Sequence, residues 1–546
     1  MIQDATRLFD LLEKAAKEWP EREAVVFKNE KVDYRSLRDR VNCLAKGLLK
    51  LGVRKGDKVT VQLVNSLEWF YVEYALMKIG AILVPINTRY KSKELEYILR
   101  HSDAAHHILQ DSFLDISFVE MAYELCPELK RARPGQLNSP KFPLLKTFVC
   151  CGEKAYDGMY RLQDVMESGV GFEMDSQLAL AETSVDGEDI AHIPYTSGTT
   201  GQPKGVPTTH RQYLWFNFSQ VSVVELREND RLAIPLPFCH NYGNSCGIFT
   251  PAMCGGTSIV FEYFEASEVL RLIDHENCTV LMGTPTMFIK MMQSPDFSKY
   301  DYSSLRTVLT AAAPAPERMI RDIQEKMGVR NLHNGYGMTE NSVGTAITRI
   351  GDPPEIVATT VGLPYSGAEV KVVNIETGGD LPPNREGELC TRGTLVMKGY
   401  YKMPEESARL IDRDGWFHTG DLAVIDGRGY IRISGRLKDV IMPGGMNYSP
   451  AEVEELLYTH PKIQQVSIVG IPDEVMGEVS IAFVQLKAGE AAIQQEIIDF
   501  CKGKIANFKV PKYVKFVNEY PMTALGKIQK FILREQAIKE LGLCKN

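Results

Sequence analysis

The chain has 546 residues, 44% of them hydrophobic and 24% charged, with 62 basic against 70 acidic side chains and a formal net charge of −8. That length exceeds one ordinary folding unit, and the charge balance excludes both a disordered acidic chain and a broadly basic nucleic-acid coat. Eleven cysteines, scattered and without a CxxC pair, predict a reducing compartment rather than a disulfide framework.

The opening run, MIQDATRLFDLLEKAAKEW, reads as an amphipathic helix because Asp4, Asp10 and Glu13 interrupt it; it does not read as a signal peptide. Apolar stretches elsewhere are strand-sized, so the expectation is a soluble, cytoplasmic protein without integral membrane association. Between residues 34 and 51, Leu37, Val41, Leu44 and Leu48 recur at helical spacing, with Gly52 as the C-cap. Residues 59–64 form a strand, residues 69–79 a second helix closed by Gly80, and residues 81–84 another strand. Continued alternation predicts α/β layers.

The texture changes after about residue 421, where glycine and polar residues accumulate. A short strand (465–469), a longer one (479–486), a helix (494–506), another strand and a basic final helix then predict a separate α+β unit of about 110 residues. Residues 501–546 carry nine lysines and one arginine against three glutamates, so the mild overall charge averages a basic end with an acidic body.

The most informative string is YTSGTTGQPKGV, residues 195–206, which follows a strand-like run at 190–194. Glycines at 198, 201 and 205 let backbone approach a ligand closely. Thr196, Ser197, Thr199 and Thr200 supply hydroxyls, and Lys204 adds a positive charge. Such a loop makes a polyphosphate cradle, although the GxxxxGK[ST] spacing of a Walker A loop is absent.

Six further strings follow in order: LPFCHNYG (236–243), AAAP (311–314), NGYGMTE (334–340), WFHTGD (416–421), GRLKD (435–439) and PMTALGK (521–527). Together the seven resemble the adenylate-forming superfamily, and within it the AMP-forming acyl-CoA synthetases, over roughly residues 20–540. The resemblance implies an α/β fold. A large N-terminal body (1–435) would contain two sheet-helix layers and a β-barrel-like part, and a small mobile α+β lid (436–546) would be hinged near Lys438. It also implies ATP and CoA as cosubstrates and Mg2+ as cofactor. A carboxylic acid would attack the α-phosphorus of ATP, pyrophosphate would leave, and the acyl-adenylate would then pass its acyl group to the thiol of CoA.

Carried residue by residue, the resemblance implies that Thr196, Ser197, Gly198, Thr199, Thr200, Gly201 and Lys204 hold phosphates. Ala311, Ala312, Ala313 and Pro314 would meet the adenine, with Ala311 standing where glycine is common. Asn334, Gly335, Tyr336, Gly337, Met338 and Thr339 would flank the nucleotide. Asp421 would grip the ribose, with Ile433 and Arg436 on its other side. Glu340 would hold Mg2+. Thr200, Thr339 and Lys527 would act on the α-phosphate, Lys527 most directly. His240 would orient the carboxylate at the mouth of an acyl pocket made by Trp215, Phe238, Asn241, Gly335, Gly337 and Ser342. Gly444 and Gly445 would line the CoA tunnel.

Two features bear on the acyl group. The segment FCHNY (238–242) offers no carboxylate to pair an α-ammonium, so an amino acid would be costly to bury. Acetate-activating relatives have tryptophan where this chain has Gly337, which predicts an acyl group larger than propionate. Trp215, Phe216, Phe218 and Phe238 suit a medium-chain, cyclic or aromatic acid such as benzoate or cyclohexanecarboxylate. The other readings are a ligase that loads a carrier protein and a non-catalytic nucleotide-binding relative. Nucleic acid is not an expected partner, and the expected state is monomer or homodimer.

Overall fold

The computed structural model describes residues 3–196, 202–446, 448–523 and 527–543. Strand-forming runs such as Ile82–Pro85, Thr257–Val260 and Val280–Gly283 are buried at every position, as parallel strands covered on both faces must be. They belong to two large sheets. One has nine strands, parallel through its centre in the order Glu23–Phe27, Thr257–Val260, Arg231–Ile234, Val280–Gly283, Thr307–Ala311, Asn331–Tyr336. Its antiparallel edges are Glu30–Asp33 on one side and Ala346–Ile347 with Leu363–Pro364 on the other. The second has seven strands and is parallel except where Thr208–Thr209 joins Ile190–His192.

Helices form where the periodicity places them. Tyr34–Lys50 starts at Asp33, whose side chain accepts from the Ser36 N–H at 2.7 Å, and Gly52 follows with φ +92°. Leu67–Lys78 is buried at every position but Glu68, consistent with a helix clamped between layers.

The part expected to be barrel-like is a four-stranded antiparallel sheet, Ala368–Val373, Glu386–Gly393, Phe417–Ile425 and Ile431–Arg436. It curls back onto the nine-stranded sheet: Ile431 exchanges backbone hydrogen bonds with Val361 and Gly362, just before the edge strand Leu363–Pro364.

The C-terminal residues build a three-stranded sheet, Ile463–Asp473, Gly477–Leu486 and Tyr513–Phe516, with helices Pro450–Tyr458, Gln494–Cys501 and Lys530–Glu540. The sheet has separate apolar clusters on its two faces, one around Val466, Ile468 and Val484, the other around Ile471, Ile481 and Phe483. Two expectations are corrected here. The first strand is eleven residues long rather than five, because it pairs in full with its neighbour across a turn in which Asp473 accepts from the N–H groups of Val475 and Met476. The helix expected to reach residue 506 ends at Cys501, where Lys502 is extended and Gly503 takes φ +73°.

Candidate active site

The C-terminal edge of the nine-stranded sheet, the four-stranded sheet and a loop of the C-terminal unit meet at one place. Tyr336 ends the strand Asn331–Tyr336, and its hydroxyl donates to Asp421 Oδ2 at 2.5 Å. Asp421 sits opposite Arg436 in the neighbouring strand, and Arg436 Nε lies 3.0 Å from Asp421 Oδ1. Ile433 faces the same cluster as the Tyr336 ring. These contacts fix Asp421 with one oxygen on a phenol and one on a guanidinium.

The backbone after Tyr336 turns through Met338 into a short 3-10 turn, Thr339–Asn341, which places Glu340 in a buried position. The Tyr400 hydroxyl donates to Glu340 Oε1 at 2.8 Å, and the Met397 N–H donates to the Glu340 carbonyl. The Lys204 ammonium lies over the Tyr400 ring, 4.9 Å from its centroid, and 2.8 Å from Glu406 Oε2. Thr196 pairs with Lys204 across a two-residue ribbon. Ser197, Gly198, Thr199, Thr200 and Gly201 lie outside the described residues. Tyr400 and Glu406 escaped the sequence reading. Their only sequence signal is the pair Gly399-Tyr400 shortly before Pro404, which carries no spacing specific to phosphate chemistry.

Lys527 arrives from the far end of the chain. Its backbone N–H donates to Thr523 Oγ1 at 3.1 Å, and its carbonyl accepts from the Thr523 N–H at 2.8 Å, so Lys527 is tied to Thr523 through its backbone. Burial pushes the Lys527 ammonium down to about 8, and the positive Arg436 pushes in the same direction; the carboxylates of Asp421 and Glu340 oppose them. The same lysine acts on His240, whose imidazole is pushed down to about 4, mainly by burial. His240 is therefore neutral near neutral pH. Its Nε2 and the neighbouring Asn241 Nδ2 are buried without a hydrogen-bond partner among the described residues. Two adjacent buried polar atoms in that condition call for an acceptor such as a carboxylate.

Other expected positions fall differently. The Asn334 side-chain amide is spent on the carbonyls of Val357 and Thr360, so it ties the strand to the helix Pro354–Thr359. Ala311 ends the strand Thr307–Ala311 and pairs with Gly335, and Ala312, Ala313 and Pro314 follow it. Ala312 takes φ +75°, a left-handed conformation that glycine would adopt without cost. A side-chain carbon on Gly335 would meet only ordinary contacts. Ser342 is buried and donates to the Leu395 carbonyl. Lys438 lies in the turn Leu437–Asp439 with its ammonium pushed down by burial. Gly444 and Gly445 belong to the turn Pro443–Gly445, where Gly444 is exposed and its N–H donates to the Met476 carbonyl at 2.8 Å.

Three placements in the acyl region need correction. A side-chain carbon on Gly337 would stand 1.9 Å from the Val343 carbonyl oxygen and 2.5 Å from Gly344 Cα. Glycine there admits the returning backbone; it does not leave an open pocket. Phe238 is 1% exposed, edge-on to Trp69 and Phe70 at 6.2 and 5.6 Å, so its ring belongs to the core beneath the site. Trp215 is 38% exposed and donates its indole N–H to the Ser366 carbonyl at 2.6 Å. Its neighbour Phe216, in the same helix His210–Val224, is buried and packs on Tyr365 and Gly344.

This arrangement agrees with the comparisons. The AMP-binding enzyme family matches residues 12–401, and the AMP-binding enzyme C-terminal domain matches residues 452–527. The chain belongs to the AMP-binding enzyme family, the adenylate-forming superfamily. It is 42% identical to YngI of Bacillus subtilis (strain 168), named as an acyl-CoA synthetase, over 98% of this chain and 97% of that one. It is 38% identical to the mitochondrial medium-chain acyl-CoA ligase ACSF2 of Mus musculus, over 98% of this chain and 88% of that one. Among solved structures, the anthranilate CoA ligase AuaEII with anthranoyl-AMP superposes with a TM-score of 0.87 at 29% identity, covering 98% of each chain. ATP-bound MatB from Rhodopseudomonas palustris does so with 0.84 at 28% identity, covering 98% of this chain and 99% of that one. The protein is an AMP-forming acid–thiol ligase, an acyl-CoA synthetase that works through an acyl-adenylate, with ATP and CoA as fitting cosubstrates. Among the described residues no helix is long and apolar enough to cross a membrane.

Proposed function

We propose that this enzyme activates a carboxylic acid larger than propionate, first of all a straight medium-chain acid, and transfers it to CoA. The observation that carries the reading is Lys527, half-buried and brought within electrostatic reach of Arg436, Asp421, Glu340 and His240. Adenylation brings two anions together, so its barrier falls when fixed cations and donors stand where charge spreads over the α-phosphoryl oxygens. In this reading Lys527 binds the acyl carboxylate and an α-phosphate oxygen, with Thr339 and Thr200 on the same phosphate. Asp421 accepts the ribose hydroxyls. Lys204 exchanges Glu406 for the departing phosphates. His240 and Asn241 orient the carboxylate through their unpartnered nitrogens.

Glu340 is a buried hard-oxygen donor with one oxygen held by Tyr400, a donor set that fits Mg2+ completed by phosphate oxygens and water. When bound, Mg2+ supplies charge neutralisation for the leaving pyrophosphate. The size of the acyl group is supported by the medium-chain activity in the name of ACSF2 rather than by Gly337. The lower-identity anthranilate ligase keeps aromatic acids as the second reading.

CoA would enter after residues 436–546 turn about Lys438, withdrawing Lys527 and bringing Gly444 and Gly445 to the site. A cavity of about 540 Å³ beside that turn, with Lys502 and Lys512 at its rim and Phe508 in its wall, suits the anionic nucleotide end of CoA. Ligation of CoA across straight-chain, cyclic and aromatic acids tests the reading. Highest kcat/KM for six- to ten-carbon straight chains supports it, whereas preference for acetate or for a carrier protein over free CoA overturns it. A Lys438→Pro variant with normal thioesterification would refute the hinge.

A further inference from the structure

Glu388 and Cys390 stand two residues apart on the strand Glu386–Gly393, so their side chains share one face. A register shift between them sets Cys390 opposite His418 of the strand Phe417–Ile425. His418 Nδ1 lies 2.8 Å from Glu388 Oε2 and 3.5 Å from Cys390 Sγ, and the ligand atoms of all three residues fall within 4.8 Å of one another. Both partners address the same ring nitrogen. A thiol–imidazole–carboxylate relay needs the two nitrogens in series, so this cluster is not a catalytic triad. Three donor atoms converging on one point is the geometry of chelation.

We propose that Glu388, Cys390 and His418 bind a divalent cation of the zinc type, and that its binding weakens the hold on the nucleotide. One thiolate, one imidazole and one carboxylate make a zinc donor set, with water completing a tetrahedron; they do not suit Mg2+. The side chains of His418 and Glu388 keep 30% and 14% exposure, which leaves a path of entry and an open fourth position. Cys390 is buried, and a cation bound there displaces its thiol proton to solvent.

The coupling rests on the role proposed above for Asp421. Glu388 Oε1 accepts the Gly420 N–H at 3.0 Å, and Thr419 Oγ1 accepts the Asp421 N–H at 3.1 Å. Drawing Glu388 onto a cation removes an acceptor from the turn that aims Asp421.

Titrating the full chain with Co2+ alone, without nucleotide, tests the site directly. One equivalent should bind with a thiolate-to-cobalt charge-transfer band. Cys390→Ala should lose both the band and that equivalent, and so should His418→Asn, which leaves the core filled. Glu340→Gln should keep both. Zn2+ should then raise the KM for ATP several-fold in the wild-type enzyme and not in Cys390→Ala. Absence of the band, or identical titrations for wild type and Cys390→Ala, overturns the site. A bound equivalent with an unchanged KM for ATP overturns the coupling and leaves the adenylation reading untouched.

Discussion

Lys204 and Lys527 reach the phosphate region from different parts of the chain and in opposite electrostatic states. Lys204 projects from a two-residue ribbon, half-buried, and is neutralised by the surface carboxylate of Glu406 while the Tyr400 ring supports its ammonium. Lys527 is half-buried too, but it faces the positive Arg436, and desolvation with that charge pushes its ammonium down to about 8. One cation is held in reserve by a partner that phosphate can displace. The other is held in a setting that Asp421 and Glu340 relieve only in part and that bound anions would relieve further. A site that must bind ATP before it reacts gains from both: the ion-paired lysine governs capture, and the strained one concentrates its effect on the transition state.

The largest expected effect comes from removing the strained member. Lys527→Ala should lower adenylate formation by about 10²–10³-fold or more, as loss of a donor aimed at developing charge does. Thioester formation from a supplied adenylate should stay largely intact. Pyrophosphate exchange and single-turnover thioesterification separate the two steps, and equal loss of both would place Lys527 in general structural support.

The next effect is in pH. Because the free-enzyme Lys527 is depressed to about 8, its charged form is present below that value and disappears as pH rises through it. The groups facing it are Arg436, Asp421, Glu340 and His240, and His240, at about 4, is already neutral over this range. The kcat/KM for ATP should therefore fall above about pH 8. The limb in kcat should lie higher, because bound phosphates stabilise the ammonium. In Lys527→Arg the limb should vanish, since a guanidinium does not titrate there.

Lys204 stands out from the residues themselves, in a loop rich in glycine and hydroxyls, whereas Glu340, Arg436 and Lys527 are marked only by the resemblance of ordered motifs. What stayed hidden is tertiary. Gly337 looks like an opening in a pocket wall, yet its reason is the Val343 carbonyl, six residues on, folding back against it. Phe238 and Phe216 look alike in sequence, and only packing sends one ring under the site and the other against Tyr365. The layered α/β order could be read from alternating periodicity, but the antiparallel edge Ala346–Ile347 with Leu363–Pro364 is made of two-residue strands too short to carry a pattern.

A smaller change probes the link between the two lysines. Tyr400→Phe keeps the ring beneath Lys204 but removes the hydroxyl that fixes Glu340. A hydrogen bond to a charged group predicts a loss in kcat on the order of tenfold, with a higher Mg2+ requirement and little change in the KM for the acid. An unchanged Mg2+ dependence would show that Glu340 is held by the Met397 backbone contact alone.

The smallest effect belongs to the reserve partner. Glu406→Gln removes the charge that competes with phosphate for Lys204, so ATP should bind more tightly, not less. Lys204 and Glu406 are both partly exposed and screened, which limits the gain to about two- to threefold in the KM for ATP. The gain should shrink further as salt rises, because salt screens the pair in the wild-type enzyme as well. A weaker KM in Glu406→Gln would mean that the carboxylate positions Lys204 for ATP instead of withholding it, and the contrast between a reserved and a strained lysine would fail at its ion-paired end.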